Sequence, residues 1–334
     1  MRSMDSTRQA PLFAIIVVLL YVACSPEVQA ESSRSVPART PSVVVDELAS
    51  GGRGPDLVVI SAGSFNRGSH ESDPLRRADE GPVKLVSIDS FAIGRFEVTV
   101  AQFRRFVEAT NYVTDAERGL PMYEWSTIRD CDAFIGRPPA GSPPLSWRNS
   151  PANTSSSSPV TCVSWNDAKA YVDWLSEETG KAYRLPTEAE FEFVIRSGST
   201  SRFAWGDDFD GGCAFANYAD RNVDTLSTSI RVPSARCDDG FAHVASVGQY
   251  TANAFGLFDA AGNVAEWAED CKTENYEAAP VDGAPDLSGD CSRRILRGGD
   301  WFSNEGSMRA SFRNVSSRTG RSDAIGFRVA RGIK

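Results

Sequence analysis

Residues 159–193 read PVTCVSWNDAKAYVDWLSEETGKAYRLPTEAEFEF and carry the strongest local signals for regular structure in the chain. Ser164 can cap a helix whose apolar side chains recur every three or four residues, and Gly180 can end that helix. Thr187 and Glu190 form a capping box, which predicts the start of another helix. We therefore expect two capped helices, one soon after the other, in this stretch.

Regular structure is predicted to be sparser elsewhere. Thr99 with Gln102 predicts an earlier helix, and residues 57–60 and 83–88 read as strands. A long loop rich in Ser and Pro separates the first two helices, and loops of that kind are usually functional or disordered. The second half is rich in Gly, Asn, Asp and aromatic residues. This composition predicts irregular structure that bound metal or disulfide bonds stabilise.

The composition excludes several classes of function. The chain has 334 residues, 41% of them hydrophobic, which argues against disorder. A net charge of −9 argues against a nucleic-acid partner. His70 and His243 are the only histidines, so neither an HExxH helix nor a three-histidine metal site can be built. The GxxxxGK[ST] loop of many nucleotide-binding enzymes is also missing from the sequence.

Residues 1–30 have the layout of a signal peptide. Basic residues precede the apolar run at 12–23, which is shorter than the roughly 20 residues that a membrane-spanning helix needs. Small residues place the predicted cleavage after Ala30. Two alternatives stay open: an uncleaved anchor, or a lipid on Cys24 that would tether the protein to a membrane. We predict an exported protein, either periplasmic or secreted.

A change in composition marks the predicted domain boundary. Residues 31–55 are rich in Ser, Pro and Gly, which predicts a flexible linker. The apolar content rises from residue 56 and stays high. Residues 56–334 are therefore predicted to form a single folded domain.

The cysteines predict disulfide bonds. If Cys24 leaves with the signal peptide, an even number of cysteines stays in an exported chain. Six cysteines allow about 15 pairings, so spacing alone cannot fix the connectivity. Nearest-neighbour pairing is the simplest arrangement, and Cys271 with Cys291 is the pair we favour. The candidates are Cys131, Cys162, Cys213, Cys237, Cys271 and Cys291.

Two stretches offer oxygen ligands of the kind that calcium prefers. One is Asn217-Tyr218 followed by DDGF at 238–241, and the other is DAAGNVAEW at 259–267. Calcium takes six to eight oxygens from carboxylates, amide side chains and carbonyls, and glycine lets the backbone curl around the ion. Taken alone, these patterns are more typical of ordinary Asx and Gly turns than of a calcium site.

Several motifs together resemble the formylglycine-generating, or sulfatase-modifying factor, domain family. They are the stretch at 159–193, NAFGLFDAAGNVAEW at 253–267, RILRGGDW at 294–301 and GFRVAR at 326–331. The resemblance runs in order through residues 57–331. It implies an α+β fold, a variant of the C-type-lectin-like fold with little regular secondary structure, and bound calcium.

The resemblance also implies two structural calcium sites. The first family site uses an Asn side chain, the next carbonyl, and an acid and a carbonyl in a later DGF. The second uses a side-chain oxygen, two carbonyls and a glutamate around the GN-x-x-EW element. The matching residues are Asn217, Tyr218, Asp239 and Phe241 for the first, and Asp259, Gly262, Val264 and Glu266 for the second.

The catalytic positions depart from the family. Members that generate formylglycine hold copper between two cysteines that follow the RGG motif, and here those positions are Ser303 and Met308. Asp300 also replaces a family serine. Because no cysteine follows Cys291, a shifted alignment cannot supply the soft thiolates that Cu(I) prefers. We therefore expect no copper and no formylglycine generation.

The family cleft implies a pocket for a small molecule or a peptide. Alternatively, Trp301 and Phe302 are core residues and their neighbours are solvated. Six arginines between Arg297 and Arg328 are expected to pair with the protein's own carboxylates at the surface, with an anionic ligand as the alternative. The candidate pocket residues are Asp300, Trp301, Ser303, Asn304, Met308 and Arg309.

Two functional hypotheses follow from the resemblance. The first is a calcium-stabilised binding or accessory domain that has lost the copper chemistry. The second is an oxidoreductase or maturation enzyme of a divergent branch, acting on an exported peptide or metabolite. The pyoverdine-maturation branch is similar in lacking the cysteine pair, whereas the sulfoxide-synthase branch needs a His-rich helical domain that the sequence does not contain.

Overall fold

Three short helices are present among the described residues, and each begins with a capping box. The computed structural model describes residues 41–120, 131, 144–223 and 232–333. Thr99 with Gln102, Ser164 with Asp167, and Thr187 with Glu190 make the reciprocal hydrogen bonds. The predicted helix starts are therefore confirmed. The helices are α1 (Val100–Thr110), α2 (Trp165–Thr179) and α3 (Glu188–Arg196), and two 3-10 turns are formed by Ala78–Glu80 and Phe209–Ala214.

The strands form three small sheets. An antiparallel five-stranded sheet has the order β1 (Val43–Val44), β2 (Leu57–Ile60), β5 (Phe91–Gly94), β11 (Ala330–Gly332) and β6 (Tyr183–Arg184). A hairpin is formed by β3 (Gly63–Arg67) and β4 (Lys84–Ile88). The third sheet has the order β10 (Ile325–Gly326), β7 (Ala265–Lys272), β8 (Asp290–Arg297) and β9 (Asn314–Ser317). Both predicted strands are present, as β2 and β4.

The folded body begins before the predicted boundary at residue 56. Val43 and Val44 pair with Val58 and Leu57, and Leu48 is buried. The prediction of a flexible linker at 31–55 is therefore corrected for its second half. Val43 and Val44 extend the five-stranded sheet, and Leu48 adds to the core. Residues 31–40, the predicted signal peptide and Cys24 lie outside the described residues, as do residues 121–130 and 132–143 of the long loop after α1.

Two large apolar clusters form most of the core. Helices α1 and α2 bury Phe103 and Tyr171 in one cluster, together with Trp267 from β7. Helix α3 buries Phe191 and Val194 in the other and lies against β3, β4, β7 and β8. Among the described residues, none of the helices has the length and apolar character to cross a lipid bilayer.

All six candidate cysteines are joined as nearest neighbours. The Cα–Cα distances are 5.4 Å for Cys131–Cys162, 6.0 Å for Cys213–Cys237 and 4.4 Å for Cys271–Cys291. The predicted pairing is confirmed. Three disulfide bonds are typical of proteins that fold in an oxidising compartment.

The basic C-terminal segment pairs with carboxylates, but in the interior rather than at the surface. Arg313 Nε donates to Glu188 at 2.8 Å, and Arg328 donates to Glu266 at 2.6 Å. Both ion pairs are almost fully buried. The surface prediction is thus wrong for these arginines, because their carboxylate partners are buried, and the carbonyls of Asp79 and Gly94 accept from the same guanidinium groups.

Replacing Glu188 should unfold the protein at lower denaturant concentration. In Glu188→Gln, Arg67 and Arg313 lose the carboxylate that holds both, and removing one partner of a buried ion pair costs about 3–5 kcal/mol. Urea unfolding measures the change, and Glu177→Gln, at an exposed position on α2, is the control. Equal unfolding midpoints for the two variants would contradict the assignment.

Candidate functional site

The turn after β8 brings Ser303 and Met308 together. Gly298 and Gly299 both have positive φ, 95° and 73°, and this reverses the chain direction at the RGG motif. A Cβ atom placed on Gly299 would lie 2.6 Å from Met308 Sδ and 3.4 Å from Ser303 Oγ. The two positions that correspond to the family's cysteines therefore meet beside one glycine.

Asp300 and Ser303 form a closed hydrogen-bonded pair. Ser303 Oγ donates to Asp300 Oδ1 at 3.0 Å and accepts from the Asp300 backbone N–H at 3.0 Å. The N–H of Phe302 also donates to Asp300 Oδ1, at 3.0 Å. Burial outweighs these hydrogen bonds and raises the pKa of Asp300 to about 6. The carboxyl can thus exchange a proton close to neutral pH.

A cavity of about 200 Å³ opens beside this pair. Asp300, Ser303 and Asn304, three of the candidate pocket residues, line it together with Ser307 and Asn314, which were not among the candidates. No local sequence pattern marks Ser307 or Asn314 as a cavity residue, because only the folding of distant segments brings them to this cavity. The lining of the cavity is mixed, since apolar side chains also contribute to it, namely Val232, Ala265, Leu296, Phe302 and Phe312.

The other predicted pocket residues lie elsewhere. Trp301 is fully buried in a small core cluster with Phe302, and its ring meets His243 edge-on at 5.0 Å. Met308 packs in the second large core cluster. Arg309 is buried and donates to Glu80 at 2.5 Å. Of the six candidate pocket residues, three therefore line the cavity and three are buried in the interior.

The first predicted calcium loop is closed by a buried carboxylate. Asp239 accepts from the backbone N–H groups of Tyr218 at 3.1 Å and Phe241 at 2.9 Å. Asn217 is fully buried, and its Nδ2 donates to the carbonyl of His243 at 2.8 Å. Its Oδ1 is buried without a hydrogen-bond donor among the described residues. Asp239 thus holds the backbone of Tyr218 and Phe241 together, and Asn217 directly precedes Tyr218 in the chain.

The second predicted calcium loop packs directly on the first. The N–H of Asn263 donates to the carbonyl of Asn217 at 2.8 Å. Gly262 has a φ of 82°, and a Cβ there would lie 2.3 Å from that same carbonyl oxygen, so only glycine fits. Asp259 Oδ2 accepts from the N–H of Gly248 at 2.6 Å, while Asp259 Oδ1 has no donor among the described residues.

Glu97 belongs to this second loop, although the sequence analysis did not select it. Its Oε1 accepts from Asn263 Nδ2 at 2.9 Å, and its Oε2 is buried without a donor in the described part of the chain. Burial and the carboxylates of Asp259 and Glu266 raise its pKa well above the usual range. No spacing in the sequence links Glu97 to residues so far along the chain.

The donor set fits calcium better than a soft metal. The buried acceptors that lack donors, Asn217 Oδ1, Asp259 Oδ1 and Glu97 Oε2, are all hard oxygens. Within the described ranges no three Asp, Glu, His or Cys side chains gather as a metal site, so an ion would depend on carbonyl and amide oxygens as well. Every described cysteine is in a disulfide bond, which leaves no thiolate for Cu(I) in that part of the chain.

Comparison with known proteins identifies the domain. Residues 44–333 match the family model of the sulfatase-modifying factor enzyme 1-like domain. The chain is 31% identical over 322 residues to the formylglycine-generating enzyme of Thermomonospora curvata, covering 88% of this chain and 96% of that protein. It is also 31% identical over 301 residues to the inactive C-alpha-formylglycine-generating enzyme 2 of Bos taurus, covering 83% of this chain and 88% of that protein.

Solved structures share the fold. The structure of PvdO from Pseudomonas aeruginosa superposes with a TM-score of 0.66 at 31% identity, covering 88% of this chain and 100% of PvdO. The variable protein 1 of Treponema denticola superposes with a TM-score of 0.60 at 21% identity, covering 88% of this chain and 100% of that one. The predicted α+β fold, of C-type-lectin-like type, is thereby confirmed.

Asp300 should make the protein less stable as the pH rises from about 4 to about 6. Its pKa is raised to about 6 in the folded protein, against about 3.9 in an unfolded chain, so ionisation disfavours the folded state across that window. Asp300→Asn removes this loss, which amounts to about 2–3 kcal/mol. Urea unfolding at pH 4 and pH 7 checks it, with exposed Asp89→Asn as the control. A pH dependence that Asp300→Asn leaves intact would contradict the assignment.

Proposed function

The chain belongs to the sulfatase-modifying factor enzyme 1-like family, and we propose that it is a binding or accessory member that does not generate formylglycine. One observation carries this proposal. Ser303 and Met308 occupy the two positions of the copper-binding cysteines and meet beside Gly299. A hydroxyl and a thioether cannot supply the dithiolate that holds Cu(I). The reaction therefore lacks its metal, while the scaffold around it is kept.

The proposed binding site is the cavity beside Asp300. Its volume of about 200 Å³ suits part of a small molecule or one side chain of a peptide. Asp300, Asn304 and Asn314 offer polar groups that can orient such a ligand. With a net charge of −9, the protein is not expected to bind nucleic acid. A relative of similar length that is named as inactive supports a non-catalytic use of this scaffold.

Calcium is proposed as a structural component. Asn217, Tyr218, Asp239 and Phe241 would hold one ion. Asp259, Gly262 and Val264 would hold the other with Glu97 close by, whereas both carboxylate oxygens of the predicted ligand Glu266 already accept from Arg328. Calcium would satisfy buried oxygens that lack hydrogen-bond donors. In a domain with such short strands, bound calcium would stabilise the two irregular loops against each other.

We propose that the protein works outside the cytoplasm, either periplasmic or secreted. Three disulfide bonds support an oxidising compartment. The apolar run at 12–23 supplies the export signal in this proposal. Lipid attachment at Cys24 is the alternative to a cleaved signal and would tether the domain to a membrane.

An oxidoreductase or maturation enzyme acting on an exported peptide or metabolite is the second candidate. The observation in its favour is Asp300, whose raised pKa of about 6 suits a general base near neutral pH. Asp300 also lines a cavity, where a substrate proton could reach it. PvdO, whose whole length is covered by the superposition, has the same fold at a similar chain length.

Calcium removal should lower the melting temperature. Saturating calcium at a hundredfold above its Kd contributes about 2.7 kcal/mol, or roughly 5 °C in a domain of this size. Asp239→Asn should lose the part of the EGTA effect that comes from the first ion and so show a smaller shift than the wild type, whereas Asp238→Asn, at the exposed neighbouring acid, should respond like the wild type. Unchanged melting of the EGTA-treated wild type would exclude calcium as a structural component.

Restoring the two cysteines should restore copper binding. Because both side chains lie beside Gly299, Ser303→Cys with Met308→Cys places two thiols within reach of one ion. The double variant should take Cu(I) from bicinchoninate, and the single Ser303→Cys variant is the control. Wild-type protein should form no aldehyde on a sulfatase-derived cysteine peptide. Aldehyde formation by the wild type would overturn the proposed function.

A further inference from the structure

The first proposed calcium site is divided between two segments of the chain. Asn217 and Tyr218 form one half, and Asp239 and Phe241 form the other, with Tyr218 and Asp239 separated by 21 residues in the sequence. Both halves would contribute oxygens to the same ion. The affinity for calcium therefore depends on how firmly the two segments are held together.

A disulfide bond joins the two segments covalently. Cys213 lies just before Asn217, and Cys237 lies just before Asp239, so the cross-link spans 24 residues and reaches both halves of the site. A cross-link of this kind stabilises a loop mainly by restricting the freedom of the chain that it closes. The disulfide bond thus fixes the approach of the two segments before any ion binds.

Hydrogen bonds between the segments give weaker support. The N–H of Ala235 donates to the carbonyl of Ala219 at 2.8 Å, and the N–H of Asp239 donates to Asp220 Oδ2 at 2.6 Å. Asp239 Oδ2 in turn accepts from the N–H of Tyr218. Two of these three hydrogen bonds involve Asp239 itself, so they depend on the position of the ligand that they hold. The disulfide bond supplies support that does not.

Tyr218 connects the disulfide bond to the site. Its hydroxyl oxygen lies 3.3 Å from Cys237 Sγ, and the hydroxyl donates to the carbonyl of Phe209 at 2.6 Å. Its ring stacks on Trp205 with the ring centroids 5.3 Å apart. The backbone carbonyl of the same residue is one of the proposed calcium ligands. Movement of the cross-linked sulfur atoms would therefore be transmitted to the site through a single residue.

The cross-link beside the site is also the most accessible of the three to a reductant. Cys213 and Cys237 are both partly exposed. Cys131 and Cys162 are both buried, and Cys271 is fully buried in β7. Thiol–disulfide exchange requires a thiolate to reach a sulfur atom. A mild reductant is therefore expected to open Cys213–Cys237 before the other two disulfide bonds.

We propose that the Cys213–Cys237 disulfide bond makes calcium binding at the first site depend on redox state, a proposal that rests on the structural calcium already proposed. A thiolate of a dithiol reductant attacks one sulfur atom, and the other cysteine leaves as a thiolate. The second thiol of the reductant then displaces the first cysteine, so the reductant is oxidised to a disulfide and the chain gains two thiols. Without the cross-link, calcium binding must also order the two segments, which weakens it.

Calcium titration of the full chain before and after mild reduction tests the proposal, with alkylation and mass spectrometry identifying the reduced cysteines. Reduction of Cys213 and Cys237 should weaken one of two calcium sites at least tenfold and leave the other unchanged. An oxidised protein that binds no calcium would contradict the structural role of calcium as well. Calcium binding of equal affinity in the two redox states would contradict the redox control alone.

Cysteine variants locate the effect. Cys213→Ser with Cys237→Ser should bind calcium like the reduced wild type, with its folding checked by circular dichroism. The matched control, Cys271→Ser with Cys291→Ser, removes the disulfide bond between β7 and β8 and should leave the affinity of the first site unchanged. Loss of both ions by the first pair of substitutions, or equal weakening by the control pair, would overturn the proposal.

The reduction potential gives a second, independent readout. Because coupling between two equilibria is reciprocal, saturating calcium should stabilise the oxidised form by the same factor by which oxidation strengthens calcium binding. A tenfold ratio of the two calcium dissociation constants lowers the reduction potential of Cys213–Cys237 by about 30 mV. Equilibration with glutathione buffers, with and without calcium, measures this shift. Identical potentials in the two conditions would count against the redox control.

Discussion

The position of Glu188 at the start of α3 constrains much of the molecule. Its carboxylate accepts from Arg67 in β3 and from Arg313 just before β9, and from the hydroxyl of Tyr276 at 3.0 Å. Its own N–H donates to Asp270 Oδ2 in β7 at 2.7 Å. One residue thus joins the hairpin, the four-stranded sheet and an irregular segment. Because a buried carboxylate is stable only with all its donors present, these segments hold their places together or not at all.

Local signals predicted the parts of the fold that depend on neighbouring residues. The capping boxes at Thr99 and Thr187 and the cap at Ser164 gave the helix starts, since the partners lie three residues apart. Val43 and Glu97 escaped prediction for the opposite reason. Val43 is ordered by pairing with Val58, and Glu97 by its hydrogen bond to Asn263. Contacts between distant segments leave no periodic pattern in a single sequence.

The candidate site shows the same difference between what local sequence signals predict and what distant contacts decide. The positions of Ser303 and Met308 followed from the RGG motif, because the turn that joins them is local. The motif did not predict which side chains face the cavity. The sequence left two readings of Trp301 open, a pocket residue or a core residue, and Trp301 fills a core cluster. A motif fixes the course of the backbone, whereas the direction of each side chain depends on the elements packed against it.

The five-stranded sheet also constrains when the protein can reach its native state. Its fourth strand, β11, comes from Ala330–Gly332 and lies between β5 and β6, whereas β1 and β2 come from the opposite end of the described chain. The ribosome must release residues 330–332 before β5 and β6 can be joined. Because β5 and β11 come from opposite ends of the described chain, closing the loop between them has a high entropic cost, and we expect their pairing to form late in folding.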